Sequence, residues 1–329
     1  MAVTSADVAR ESGVSRTTVS YVLNGTPGAT ISDATRRRVL ATAARLGYAP
    51  SAAARTLRAG RSDLVLCVLP NWPIGPVLDT LLERLADELA ARGLAVLVHH
   101  GRGARPLADL WRAVQPRTVV GFAAFAEEDL RAMRLAGIQV VGTRMDGDDD
   151  DPTVVSVPQV RIGRLQVQHL VAGGRSRLGW AGTTDTRLAE FARHRLAGVR
   201  SECAQAGIAP PVVRELDLTM ASAARAAAAW REAGVDAVAA YNDEVGLAVL
   251  AGLREQGLAV PQDVAVIGVD DVPAAALAEP PLSSVDQAIE RQAAYLAACT
   301  LAALDGVQPP SRPDDLHTVV ARASSAPRR

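Results

Sequence analysis

In the first fifty residues apolar side chains recur at helical spacing, whereas from residue 63 onward short apolar runs alternate with helical stretches. Val19, Val22 and Leu23 fall at i, i+3 and i+4, forming one stripe that packs inward. Ser15 is placed to cap that helix. A helix-like segment over 3–11 precedes it, and the turn between them contains Gly13. A third helix fits 32–46, with Ser32 as cap and Val39, Leu40, Ala43 and Leu46 as its apolar face. Gly47 and then Pro50 stop it. Two short helices joined by a tight glycine turn predict a helix-turn-helix, whose second helix can lie in a DNA major groove. Arg16, Thr17, Thr18, Ser20 and Tyr21 are left on its other faces, free to meet bases or phosphates.

The remainder predicts strands at 64–70, 94–100, 118–125, 138–143, 152–157, 177–182, 212–218, 236–241 and 263–270. Helices fit 77–92, 127–136, 160–172, 187–206, 221–233, 245–256 and 287–304. Near-continuous apolar strands alternating with helices imply an α/β fold, with buried parallel sheets covered on both faces. Such sheets bind ligands at the carboxyl ends of their strands. The expected organisation is a three-helix DNA-binding domain over 1–49, a linker or hinge over 50–62, and an α/β body over 63–329.

Charge sharpens the division. The 329 residues carry a net charge of −1, which by itself argues against nucleic acid. Residues 1–62, however, hold nine Arg against Asp7, Glu11 and Asp33, and the body carries the compensating negative charge. A basic head on an acidic body concentrates phosphate attraction at one end. For Arg36, Arg37 and Arg38, a solvated face and phosphate contact stay equally open.

Catalytic chemistry finds little support. Cys67, Cys203 and Cys299 match no metal or redox spacing, so buried reduced thiols are expected. The acidic run 146–151 reads as a solvated loop without the fixed ligand spacing of a cation site. His99 and His100 end a strand with no Cys or acidic partner beside them in sequence. Pro106 stands where a dinucleotide loop needs its third glycine, and phosphate-loop and nucleophile-elbow motifs are absent. Neither a metal nor a cofactor is expected. No signal-peptide pattern opens the chain and no apolar run reaches membrane length, so a soluble cytoplasmic protein without membrane association is expected.

Residues 50–62, P-S-A-A-A-R-T-L-R-A-G-R-S, favour helix in composition but are too few to be stably helical alone. Leu57 is then an apolar side chain on a weak basic helix. It either docks on the following domain or wedges between base steps in the minor groove. The order V-T-S-A-D-V-A-R-E-S-G-V-S-R-T-T-V-S-Y-V-L-N, then T-R-R-R-V-L-A-T-A-A-R-L-G-Y-A-P, then S-A-A-A-R-T-L-R-A-G-R-S resembles the LacI/GalR family of bacterial transcription regulators. The resemblance implies a hinge helix at Ala54 to Leu57 that folds on operator DNA, with Leu57 intercalating. It places base reading on Arg16, Thr17 and Tyr21, the last often Arg in the family. The implied DNA-contact set is Thr4, Ser15, Arg16, Thr17, Thr18, Ser20, Tyr21, Asn24, Ala54 and Leu57.

The likeness continues through Y-N-D-E-V-G-L-A-V-L-A-G-L-R-E-Q-G-L, V-A-V-I-G-V-D-D-V, P-P-L-S-S-V-D-Q and V-A-R-A-S-S, which are similar to the family's sensor signatures. It implies a periplasmic-binding-protein-like body of two α/β subdomains closing on a small molecule. Arg195 matches the family's ligand-clamping arginine, Asn242 and Asp243 its strand-end polar pair, Asp270 its second acidic contact, and Gln287 its crossover glutamine. Trp72 and Gln159 complete the implied effector set. An alternative use of Asp243 is to cap the helix beginning near Glu244, with Asp270 simply opening a loop. Two departures bear on the effector: an acid common beside Pro158 and Gln159 is missing, and low aromatic content leaves no evident stacking surface for a sugar. The chain ends without a leucine-heptad tail, so a homodimer is expected. The resulting expectation is a repressor of a pseudo-palindromic double-stranded operator, controlled by a small effector such as a sugar. An exported solute-binding protein or an α/β enzyme on the same sensor fold is the alternative.

Overall fold

The computed structural model describes residues 3–23, 29–48, 62–101, 106–146, 153–313 and 316–328. The chain divides into two compact units, Met1–Asp63 and Leu64–Arg329. In the first, α1 (Ser5–Ser12), α2 (Arg16–Leu23) and α3 (Asp33–Arg45) close around Val8, Ala9, Val19, Val22, Val39 and Ala43. Local chemistry sets each boundary. Thr4 caps α1 in a reciprocal box: the Asp7 amide donates to Thr4 Oγ1 (3.4 Å) and the Thr4 amide to Asp7 Oδ2 (2.9 Å). Gly13 takes the left-handed conformation, φ 65°, that ends α1. Ser15 Oγ accepts the Thr18 amide at 3.0 Å, and Ser32 Oγ accepts the Thr35 amide at 3.3 Å. Leu40 departs from expectation and lies 46% exposed. Val39, Thr42, Ala43 and Leu46 occupy the inward stripe of α3, and Leu40 falls a quarter-turn outside it.

The second unit contains two sheets. The first runs β2-β1-β3-β4-β5, all parallel. Its strands are β1 (Leu64–Leu69), β2 (Ala95–His100), β3 (Thr118–Gly121), β4 (Gln139–Met145) and β5 (Val154–Val157). The second runs β11-β10-β9-β8-β6-β7, parallel except for β11. Its strands are β6 (Leu178–Thr183), β7 (Val212–Leu216), β8 (Ala237–Ala240), β9 (Ala265–Val269), β10 (Ser283–Asp286) and β11 (Thr318–Val320). Strands β3, β8 and β9 are buried at every position, as expected of strands covered on both faces.

Helices α4 (Pro76–Ala90), α5 (Leu107–Val114) and α6 (Glu127–Leu135) accompany the first sheet. Helices α7 (Gln159–Ala172), α8 (Ala189–Gln205), α9 (Met220–Glu232), α10 (Asp243–Glu255) and the short α11 (Pro273–Leu277) accompany the second. Helix α12 (Ile289–Asp305) returns to the first lobe, where Leu296, Ala297 and Cys299 join the core of β1, β3 and α4. The chain therefore passes between lobes at 157–159, at 286–289 and again between α12 and β11.

Four elements lay outside the sequence expectation: α5, α11, β10 and β11. Strand β10 is the instructive one. Ser283 and Ser284 are fully buried, yet satisfied by Arg322 O and by the Asp243 carboxylate, so a central strand carries hydroxyls. The acidic run also differs at its first residue. Asp146 is only 19% exposed at its side chain, and its Oδ1 accepts the Val160 amide at 2.9 Å. Residues 147–151 lie outside the described segments. All three cysteines are buried and free, and burial pushes the Cys67 thiol up to about 12. Among the described residues no helix is long and apolar enough to cross a membrane.

Candidate DNA-reading face and ligand cleft

On the head, α2 buries Val19 and Val22 and turns Arg16, Thr17 and Tyr21 outward; Tyr21 is 42% exposed. Thr17 and Tyr21 are one turn apart and share a face, as do Arg16 and Ser20. Thr18 and Ser20 are half-buried. The side chains of Ser15 and Thr4 are engaged in caps, so any contact they make with DNA must use the remaining capacity of their hydroxyls. Arg38 is tied inward, its Nε donating to Ser12 O at 2.9 Å, and Arg45 pairs with Glu11 at 3.1 Å. Asn24, Ala54 and Leu57 lie outside the described residues.

In the body, a cavity of about 910 Å³ opens between the two lobes. Trp72, Gln159, Arg195, Asn242, Asp270 and Gln287 all line it. They are brought there by strand ends and crossovers: Asn242 follows β8, Asp270 follows β9, and Gln159 and Gln287 sit where the chain passes between lobes. Arg195, 4% exposed, is the organising group. Its Nε donates to Gln159 Oε1 (2.8 Å) and its Nη1 to Tyr241 O (2.7 Å). Its guanidinium stacks 4.8 Å from the Tyr241 ring centroid, and its Nη2 lies 3.9 Å from Asp270 Oδ1. Gln287 Nε2 donates to that same Oδ1 at 2.5 Å. Burial drives the Asp270 carboxyl up to about 6, against the opposing pull of Arg195 and the Gln287 bond. Asp270 also holds φ 106° and Asp271 φ 53°, a left-handed pair that costs strain and is held by the surrounding contacts.

Asp243 is corrected. It is fully buried and absent from the cavity wall. Its Oδ1 accepts Ser284 Oγ (2.7 Å) and its Oδ2 the Val272 amide (2.9 Å), bolting α10 to β10 and the loop after β9. Gly268 makes room: a Cβ there would stand 2.1 Å from Asp243 Oδ1. Nor does Asp243 cap α10, since Asn242 Oδ1 accepts the Val245 amide at 3.0 Å. Its neighbour Glu244, first in line after the buried carboxylate, lines the cavity instead.

The expected lack of a stacking surface is also corrected. The chain's three phenylalanines, Phe122, Phe125 and Phe191, all line the cavity together with Trp72 and Tyr241. Trp72 meets Phe122 edge-on at 6.2 Å and Phe191 at 4.8 Å between ring centroids. Low overall aromatic content thus conceals local concentration. The signal available in the sequence was position: Phe122 and Phe125 directly follow β3, at a carboxyl end. Among the described residues no cluster of His, Cys, Asp and Glu is arranged to hold a metal.

Comparison with known proteins agrees with both halves. Residues 4–51 match the model of bacterial regulatory proteins of the lacI family, and residues 167–325 match that of the periplasmic binding protein-like domain. The chain is 32% identical over 303 residues to the HTH-type transcriptional regulator CelR of Thermobifida fusca, covering 86% of each. It is 31% identical over 305 residues to the HTH-type transcriptional regulator GntR of Pseudomonas aeruginosa, covering 88% of this chain and 86% of the relative. The solved CelR–cellobiose complex matches with a TM-score of 0.65 at 28% identity, covering 98% of this chain and 100% of the other. The lac repressor dimer bound to operator and the anti-inducer ONPF shares the fold, with a TM-score of 0.81 at 24% identity and coverage of 99% and 100%. A helix-turn-helix head, a two-lobed α/β body and identity to named regulators over most of the length converge: the chain belongs to the lacI family of bacterial regulatory proteins and is a transcriptional regulator rather than an enzyme.

Proposed function

We propose that the protein is a homodimeric cytoplasmic repressor whose hold on a pseudo-palindromic double-stranded operator is set by a small polyhydroxylated effector in the cleft between the lobes. The observation that carries this reading is the buried Arg195 guanidinium, fixed by Gln159 and Tyr241 beside the Asp270 and Gln287 pair at a crossover. A guanidinium, a carboxylate and amides in one wall offer donors and acceptors to sugar hydroxyls with directional geometry. Because the cavity is lined from both lobes, a ligand there has different contacts in open and closed bodies and so shifts their balance. The related regulator CelR has been solved in complex with cellobiose, which supports a sugar or related metabolite here.

Paired heads reading two half-sites would present Arg16, Thr17 and Tyr21 to base edges, with Ala54 and Leu57 of each hinge at the operator centre. Closure of the body would change the relation of the two hinges, with a coupling on the order of 1–3 kcal/mol. The test is a selection of genomic fragments by the full-length protein, followed by titration of the winning fragment with a sugar panel. Specific retention that a panel member weakens or strengthens, and that Arg195→Ala makes indifferent to that member, is the expected result. Retention no better than for random competitor DNA would remove operator recognition. A normal ligand response in Arg195→Ala would remove the cleft.

A further inference from the structure

Backbone strain in the body is gathered where the lobes meet. Among the described residues, five other than glycine take a positive φ: Gln115, Asp146, Asp270, Asp271 and Ala288. Gln115 ends α5. The other four flank the passages between lobes. Asp146 holds the Val160 amide at the first crossover, Asp270 and Asp271 follow β9, and Ala288 lies in the second crossover. A residue with a Cβ stays in the left-handed region only where surrounding contacts hold it there.

For Ala288, at φ 47° and ψ 50°, those contacts are explicit. Only Gln287 and Ala288 separate β10 of the second lobe from α12, whose Leu296, Ala297 and Cys299 belong to the core of the first. Asp286 Oδ1, at the end of β10, accepts the Ala288 amide at 2.7 Å. Gln292 Nε2, in the first turn of α12, donates to the Gln287 carbonyl at 2.7 Å. Gln287 itself is 5% exposed, and its side chain reaches Asp270 of the second lobe. One residue is thus gripped through its carbonyl by the first lobe and through its amide by the second. A change of φ or ψ at Ala288 swings α12 away from the Gln287 carbonyl and breaks the Gln292 bond.

We infer that Gln292 is a positioning residue of the cleft: by holding the left-handed bend at Ala288 it keeps the Gln287 amide on Asp270 and ties that pair to α12. Its bearing on the effector rests on the cleft being the effector site, as proposed above. A ligand that engages Asp270 or Gln287 then pulls on α12, and through it on the core of the first lobe, rather than on its own wall alone.

The first measurement needs no ligand. Burial raises the Asp270 carboxyl; Arg195 and then the Gln287 bond hold it down, and Glu244 acts to raise it. Losing the Gln287 bond lets the carboxyl rise further above its unfolded value, so the cost to stability grows as pH rises. On the full-length protein, Gln287→Ala and Gln292→Ala should each lower the melting temperature about twice as much or more at pH 8 as at pH 5. The pH-dependent part should be no larger in the double variant than in Gln287→Ala. Gln292→Met, of similar length but without a donor, should match Gln292→Ala. Ala288→Gly, at home in the left-handed bend, should melt no lower than the parent, and Ala288→Val should melt lower. Gln292→Met behaving as the parent, a loss from Gln292→Ala equal at both pH values, pH-dependent losses that add in the double variant, or the reverse order at Ala288 would each overturn the inference.

Titration of the selected operator fragment with glucose, galactose and cellobiose separates this inference from the reading beneath it. Where the parent answers one of these sugars, Gln292→Ala should require about threefold more of it, the scale of one net hydrogen bond. An unchanged requirement would overturn the inference. A parent that answers none of them strikes at the cleft reading instead, while the ligand-free melts still decide the role of Gln292.

Discussion

Gly163 lies so close beneath Arg195 that a Cβ built on it would stand 2.0 Å from the Arg195 carbonyl oxygen. The reciprocal contact is Gly198, whose Cβ would stand 2.0 Å from Val160 O. Helices α7 and α8 therefore cross glycine against glycine, and that approach brings Arg195 within reach of Gln159 at the start of α7. The alignment of the cavity-lining guanidinium is set by two glycines that are not part of the cavity wall.

Gly163→Ala should accordingly force the helices apart at backbone, where no flexible side chain can yield. A stability loss of about 1–3 kcal/mol is expected from overpacking, together with weakened ligand response at unchanged operator affinity in the absence of ligand. Thermal melts and operator titrations measure the two effects separately. A variant of full stability and normal response would show that the crossing tolerates a methyl group and does not position Arg195.

Asp243 predicts a pH effect on stability. Burial pushes its carboxyl up to about 7, against the lowering effect of the Ser284 and Val272 bonds. The folded state thus retains a proton that the unfolded chain has already released, and stability falls as pH rises from about 4 through about 7. Asp243→Asn keeps an acceptor and removes the titration. The difference in melting temperature, variant minus parent, should be more favourable at pH 8 than at pH 5. An equal difference at both values would mean that Asp243 stays ionised throughout.

The head was legible because its determinants are local. Caps at Ser15 and Ser32, the left-handed Gly13 and the stripe of Val19 and Val22 all act within one or two turns. The body's alternation was legible for the same reason, since fully apolar strands such as β9 announce burial on both faces. Strand β10 was not, because its serines look like loop until Asp243, forty-one residues away, accepts one of them. The aromatic end of the cleft was hidden by distance: Trp72, Phe122 and Phe191 meet only after two lobes have formed. Asp243 leaves its expected place on the cavity wall, where Glu244 stands, because Gly268 admits the carboxylate of Asp243 against β9.

On the head, Tyr21 stands out as a large ring 42% exposed on α2. Tyr21→Ala should change stability by no more than about 0.5 kcal/mol, as for other exposed sites. Specific operator affinity should fall by about tenfold or more, within the roughly 1–3 kcal/mol carried by a base contact, with nonspecific binding little changed. Equal losses on specific and random duplexes, measured by fluorescence titration at one salt concentration, would assign Tyr21 to the phosphates instead.

A last relationship concerns closure. Asp146 follows β4 in the first lobe, and its Oδ2 lies 2.7 Å from Nδ1 of His194, on α8 of the second. Arg193 Nη2 stands 2.8 Å from the other ring nitrogen of His194. A guanidinium only donates, so that nitrogen accepts, while the approach of Nδ1 to Asp146 Oδ2 is a close contact without hydrogen-bond alignment. The pair therefore joins the two lobes. His194→Ala should reduce apparent ligand affinity about three- to tenfold by lowering the population of closed bodies, with little change in melting temperature. Asp146→Ala should cost more, because it also removes the acceptor of the Val160 amide at the start of α7. The double variant separates these contributions: coupling in ligand affinity above about 0.5 kcal/mol identifies a cross-lobe latch, whereas additivity within about 0.3 kcal/mol means that each residue serves only its own lobe.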